Sequence, residues 1–169
     1  MPSGTRSYIT VYDYSQEEFD NLEFSCDTTS EEFFEHVVPH HSEWGEVHHI
    51  ELEDLEYEAP TRQLTFTTET KWFGPVAWLQ AASGTEFFEG KLMTMAIINR
   101  DETVVDAVAV IGRDFLQQRN LTTLDSSTVG ALYANDDVDE LDRLLWMPIE
   151  EFNKECMELY LVPKVERKQ

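Results

Sequence analysis

The chain has 169 residues, 41% hydrophobic and 12% aromatic, enough for one folded domain with a buried core and too apolar for general disorder. Thirty-four acidic residues against twelve basic ones give a formal net charge of −22. A field of that sign repels DNA, RNA and anionic membranes and attracts basic surfaces.

The N-terminal strand signal is SYITVY, where Tyr8, Thr10 and Tyr12 alternate with Ile9 and Val11. Ser15-Gln16-Glu17-Glu18 reads as a capping box opening a helical turn over 16–22. Thr29-Ser30-Glu31-Glu32 is a second start signal, and Phe33, Phe34, Val37 and Val38 give the following segment an apolar face up to Pro39. Trp44-Gly45 suggests a turn. In HHIELEDLEYEAP, Ile50 and Leu52 alternate with Glu51 and Glu53, then the phase shifts to Leu55 and Tyr57. This predicts an edge strand whose outer face carries Glu51, Glu53, Glu56 and Glu58.

A strand over 64–72 follows, then a helix opened by Gly74-Pro75 and closed by Ser83-Gly84. Thr85–Ile98 is long for one strand, so Glu89-Gly90 suggests a bulge or bend. Lys91–Ile98 and Thr103–Ile111 predict a central hairpin across 99–102. Beyond Gly112 the pattern predicts a short helix at 113–116, a polar loop over 120–128 and a helical stretch over 129–146. Asn135-Asp136-Asp137 interrupts that stretch, and Pro148 opens a further helix.

Charge is uneven along the chain. Residues 1–60 contain sixteen acids and one base, Arg6; residues 61–169 contain eighteen acids and eleven bases. MPSGTRSYITVYDY has no basic region followed by an apolar run, and no uncharged apolar stretch approaches the roughly 18 residues of a membrane span. A soluble cytoplasmic protein is expected, with Cys26 and Cys156 as reduced thiols because they form no CxxC pair.

All five histidines lie in HVVPHHSEWGEVHH, 36–49. His36 and His40 have the spacing of a shared metal site on a helix, but Pro39 ends the helix between them, and neither HExxH nor a cysteine accompanies them. Solvated imidazoles are the preferred reading, and a metal-dependent enzyme using His36–His49 is one rival. The chain has no GxSxG, phosphate loop or dinucleotide fingerprint, so no catalytic residue, metal or cofactor is assigned.

The acidic segment is the strongest functional candidate. Glu43, Glu46, Glu51, Glu53, Asp54, Glu56 and Glu58 are assigned as partner-binding residues acting as phosphate surrogates. Alternate residues of a strand stand about 6.5–7 Å apart on one face, a spacing comparable to that of phosphates along a DNA strand. Solubility and edge protection account for the same residues without a partner. A second rival is an interaction module anchored by Trp44, Trp72, Phe73 and Trp146.

The stretch TFTTETKWFGPVAWLQAASGTEFFEG resembles the YubB-like ferredoxin-like domain of phage and plasmid proteins, through Phe66, Thr67, Trp72, Pro75, Trp78, Leu79 and Gly90. FFEHVVP is similar to the segment before that family's variable loop. The family's paired prolines are reduced here to Gly74-Pro75. The resemblance covers about residues 7–112 and implies a fold and a mobile-element context, with no active site. Small acidic proteins of such elements are often inhibitors of host defence.

The expected architecture is α+β. An antiparallel sheet carries helices on one face, ferredoxin-like in outline, over residues 1–112, and a C-terminal helical extension over 113–169 packs on it. The expected function is a non-enzymatic acidic inhibitor of anti-CRISPR or antirestriction type. It would bind the basic nucleic-acid channel of a host protein or complex by DNA mimicry, with no direct nucleic-acid or membrane contact.

Overall fold

The computed structural model describes residues 4–25, 27–38, 51–70 and 74–161. Trp44, Trp72, Phe73, Cys26, Glu43, Glu46 and the histidines after His36 lie outside these residues.

Two capping boxes start the first helices. Strand β1 (Thr5–Val11) leads to α1 (Gln16–Asn21), where the Ser15 hydroxyl accepts from the Glu18 N–H and the Glu18 carboxylate accepts from the Ser15 N–H. Helix α2 (Ser30–Val37) repeats the device with Thr29 and Glu32. Strands β2 (Glu51–Glu58) and β3 (Gln63–Thr70) follow, then α3 (Val76–Ala82), with Pro75 at its N-cap. Strands β4 (Met93–Ile98) and β5 (Val104–Ile111) form the expected hairpin. Residues 85–91 are successive turns that reach β4 through Gly90 at φ 74°, not the first half of a long strand.

The described strands form one antiparallel sheet in the order β2-β3-β1-β4-β5-β6. Its first four strands, with α1–α2 and α3 as crossovers, have the split βαβ arrangement of ferredoxin-like domains. The phenyl rings of Phe33 and Phe34, the indole of Trp78 and the ring of Phe66 pack mutually on one face, with Phe34 and Trp78 centroids 4.8 Å apart. Ile9, Val11, Met93, Met95, Val108 and Val110 complete this core beneath α1–α3.

Two sequence expectations after Gly112 need correction. Residues 114–123 are strand β6 (Asp114–Thr123), paired with β5, rather than a short helix and a loop. A two-residue turn makes the connection, with Gly112 at φ 55° and Arg113 at φ 74°, the sign that hairpin turns require. Register irregularities opposite Val105/Asp106 and Ala109/Val110 add a residue to β6 each time. They destroy the two-residue alternation that would have marked the strand. The sheet therefore continues across Gly112.

The second correction concerns Pro148, which lies inside α5 (Val138–Tyr160) and does not start a helix. A proline there removes the bond to the carbonyl of Leu144, four residues back. The Thr122 hydroxyl of β6 makes a long contact of 3.4 Å to that carbonyl, and the buried Leu145, Ile149 and Phe152 hold the helix on the sheet on both sides of the proline. Helix α4 (Ser126–Ala134) precedes it, and the break at 135–137 falls where expected. Helices α4 and α5 cover the opposite sheet face through Val129, Leu141, Leu145, Ile149, Phe152 and Cys156. These side chains pack on Ala96, Ile98, Val105, Ala107 and Ala109. The molecule thus has three layers: α1–α3, the sheet, and α4–α5.

Candidate functional site: an acidic sheet surface

Strand β2 is an edge strand, and its sequence places carboxylates on the face that α4 and α5 share. Leu52, Leu55 and Tyr57 turn inward onto the α1–α3 core. The Tyr57 ring stacks on Phe19 at 5.2 Å, and its hydroxyl donates to the Tyr14 carbonyl at 2.6 Å. A plain alternation would put Leu52 and Leu55 on opposite faces. The register with β3 instead steps from Glu53↔Thr67 to Glu56↔Thr65, so β2 carries one extra residue. Asp54 takes a left-handed conformation there, at φ 51°. The bulge restores the phase, and Glu51, Glu53, Glu56 and Glu58 occupy one face, as the sequence predicted. The Ser30 hydroxyl accepts from the outward-facing Leu52 N–H at 2.9 Å, tying α2 to the sheet edge.

Two residues that sequence reasoning missed complete the surface. Pairing places Glu51 opposite Glu69, and Glu69 opposite Arg6. Carboxylate oxygens of Glu51, Glu53 and Glu69 lie within 4.8 Å of one another. Arg6 stands 3.6 Å from Glu53 and 3.8 Å from Glu69. Burial raises the Glu69 pKa, and the neighbouring Glu53 and Glu51 raise it further against the opposing pull of Arg6. Arg6 is held more firmly protonated, first by its bond with the Tyr8 hydroxyl and then by Glu53 and Glu69. Three carboxylates in this reach also suit a hard divalent cation, but Arg6 already supplies a counter-charge. At this end the surface is a compact knot, tighter than the spacing of phosphates.

Of the seven sequence-assigned residues, the structure brings Glu51 and Glu53 into the knot. Glu56 and Glu58 continue the same face, and the Glu58 carboxylate accepts from the Thr61 hydroxyl at 3.1 Å. Asp54 is the bulge residue, exposed beside them. Among the described residues no basic side chain pairs with Glu51, Glu56 or Glu58. The bases Arg62, Lys91, Arg119 and Arg143 are engaged by Asp13, Glu18, Glu155 and Glu140 respectively. Among the described residues no apolar side chain of β2 or β3 enters the clusters that α4 and α5 form; Glu51, Glu56 and Glu58 are exposed on this part of the face, while Thr67 and Glu69 are largely covered.

The rival sites are placed in part. Trp146 of α5 is half-buried, with its ring centroid 4.5 Å from that of Tyr8 in an edge-to-face contact. His36 ends α2 against Phe87, at 4.8 Å. Among the described residues no helix is long and apolar enough to cross a membrane. No protein-family model, curated protein or solved structure matches the chain.

Proposed function

We propose that this protein is a non-enzymatic inhibitor that lays its β2 surface into the Lys/Arg-lined nucleic-acid channel of a host defence complex, of anti-CRISPR or antirestriction type. The observation that carries the reading is the row of four glutamates on one face of β2, the edge among the described strands, three of them without a basic partner among the described residues. DNA-binding channels are built for one negative charge per about 1.7 Å of duplex axis, and a rigid carboxylate surface competes for the same cations. The YubB-like resemblance supports a mobile-element source, and the split βαβ order agrees with the fold that it implies.

The test is displacement of a labelled DNA duplex from purified restriction and CRISPR effector complexes, read by fluorescence anisotropy. The wild-type chain should displace DNA at low salt and lose potency steeply as salt rises. Changing Glu51, Glu53, Glu56 and Glu58 to Lys together takes the net charge from −22 to −14 and should abolish displacement. Displacement that survives the quadruple change would remove this surface from the mechanism.

A second reading is favoured by Trp146, whose half-buried indole opens beside the same surface. In that reading aromatic burial supplies the affinity, and binding is insensitive to salt but lost on Trp146→Ala.

A further inference from the structure

A cleft of about 440 Å³ opens beside the acidic surface, where α5 passes the β1–β3 region. Arg6, Tyr8 and Glu69 form its sheet side, Asp142 and Trp146 its helix side, and the β4–β5 turn closes one end with Arg100 and Glu102. Two of these residues, Arg6 and Glu69, belong also to the carboxylate knot, so the cleft and the acidic face are one continuous surface.

The charged lining is three carboxylates, Glu69, Glu102 and Asp142, and two guanidinium groups, Arg6 and Arg100, with Glu53 of the carboxylate knot alongside. Asp142 pairs with no base among the described residues, and Glu102 accepts from the Tyr133 hydroxyl. Arg100 is exposed and makes no ion pair among the described residues. Arg6 is the lone base of the first sixty residues. Its contacts with Glu53 and Glu69, at 3.6 and 3.8 Å, are longer than hydrogen bonds, and its side chain is 53% exposed. The guanidinium keeps its bond with the Tyr8 hydroxyl but meets the carboxylates only at long range, so it is their side of the site that a second guanidinium could take over. A planar guanidinium suits such a place better than an ammonium, because it forks onto carboxylates and stacks on aromatic faces.

We propose that this cleft is the anchor for an arginine side chain of the basic partner, which takes over Glu53 and Glu69 from Arg6 and stacks against Trp146 and Tyr8. The proposal rests on the reading of the acidic surface given above and adds the pocket and residue type that fix its register. In it, β2 steers the partner and the cleft holds it, a division between on-rate and off-rate seen at charged interfaces.

The test is an NMR titration of the ¹⁵N-labelled full chain with hexa-arginine, and with hexa-lysine for comparison. The Trp146 indole N–H is assigned by its loss in Trp146→Phe. Hexa-arginine should shift the Trp146 indole saturably and bind about fivefold tighter than hexa-lysine. Arg6→Gln, which removes the internal competitor, should tighten binding, and Glu69→Gln should weaken it. If β2 amides shift while the Trp146 indole does not, or if Arg6→Gln weakens binding, the anchor is overturned and the reading of the acidic face stands. If hexa-arginine fails to bind at low salt, or binds equally after reversal of the four β2 glutamates, both fall.

Discussion

Deleting Asp54 should leave the fold intact and raise its stability. Without this residue β2 reads Glu-Leu-Glu-Leu-Glu-Tyr-Glu, a strict alternation that pairs with β3 residue for residue and needs no bulge. Leu52, Leu55 and Tyr57 stay inward, and all four glutamates stay on the outer face. The gain is the relief of a left-handed non-glycine residue, about 1 kcal/mol, or roughly 2–4 °C in Tm for a chain of this size. Inserting one alanine between Glu56 and Tyr57 has the opposite effect. It turns Tyr57 outward, which loses the Phe19 stack and the bond to the Tyr14 carbonyl. It also drives Glu58 toward the core. The cost should be roughly 2–4 kcal/mol. Thermal unfolding by circular dichroism, with Tyr57–Phe19 ring contacts followed by NMR, reads both variants. A Tm below wild type for the deletion, or an unchanged Tm for the insertion, would refute the assignment of faces along β2.

Two further outcomes follow from the titrating groups. Glu69→Gln should stabilise the protein near neutral pH, because folding disfavours the Glu69 carboxylate, chiefly by burial and then by Glu53. Its folded pKa is raised, so the penalty is absent below the unfolded value of about 4.3 and is complete once pH has risen through the folded value. Urea unfolding of both proteins between acid and neutral pH should therefore show the difference shrinking as pH falls; a constant difference would mean that the gain is not electrostatic. Cys156 is fully buried, and burial pushes its thiol pKa up to about 11. In a Cys26→Ser background, a disulfide reagent should label it only after denaturation; labelling of the native protein at the rate of a free thiol would contradict the packing of α5.

The sequence itself determined much of the local structure. Both capping boxes are legible because Ser15/Glu18 and Thr29/Glu32 satisfy helix N–H groups within four residues of chain. The outward row of β2 is legible because its two apolar phases, Leu52 and then Leu55 and Tyr57, can share a face only across a bulge. The apolar runs of β4 and β5 mark interior strands for a similar reason: both of their faces are covered. Features that depend on distant partners were out of reach. Strand β6 lacks alternation because two extra residues interrupt it, and only its pairing with β5 makes it a strand. Helix α5 passes through Pro148 with Leu145 before it and Ile149 and Phe152 after it buried on the sheet, a packing that no local pattern shows. The site divides in the same way. Four glutamates were visible in one stretch, but Glu69 joins them only through the β2–β3 register, and Arg6 only through β1–β3. Trp146 meets Tyr8 only because α5 lies across β1. Local hydrogen bonding and side-chain alternation are written in adjacent residues, whereas the charge knot and the cleft beside it exist only once the sheet order has brought those strands and that helix together.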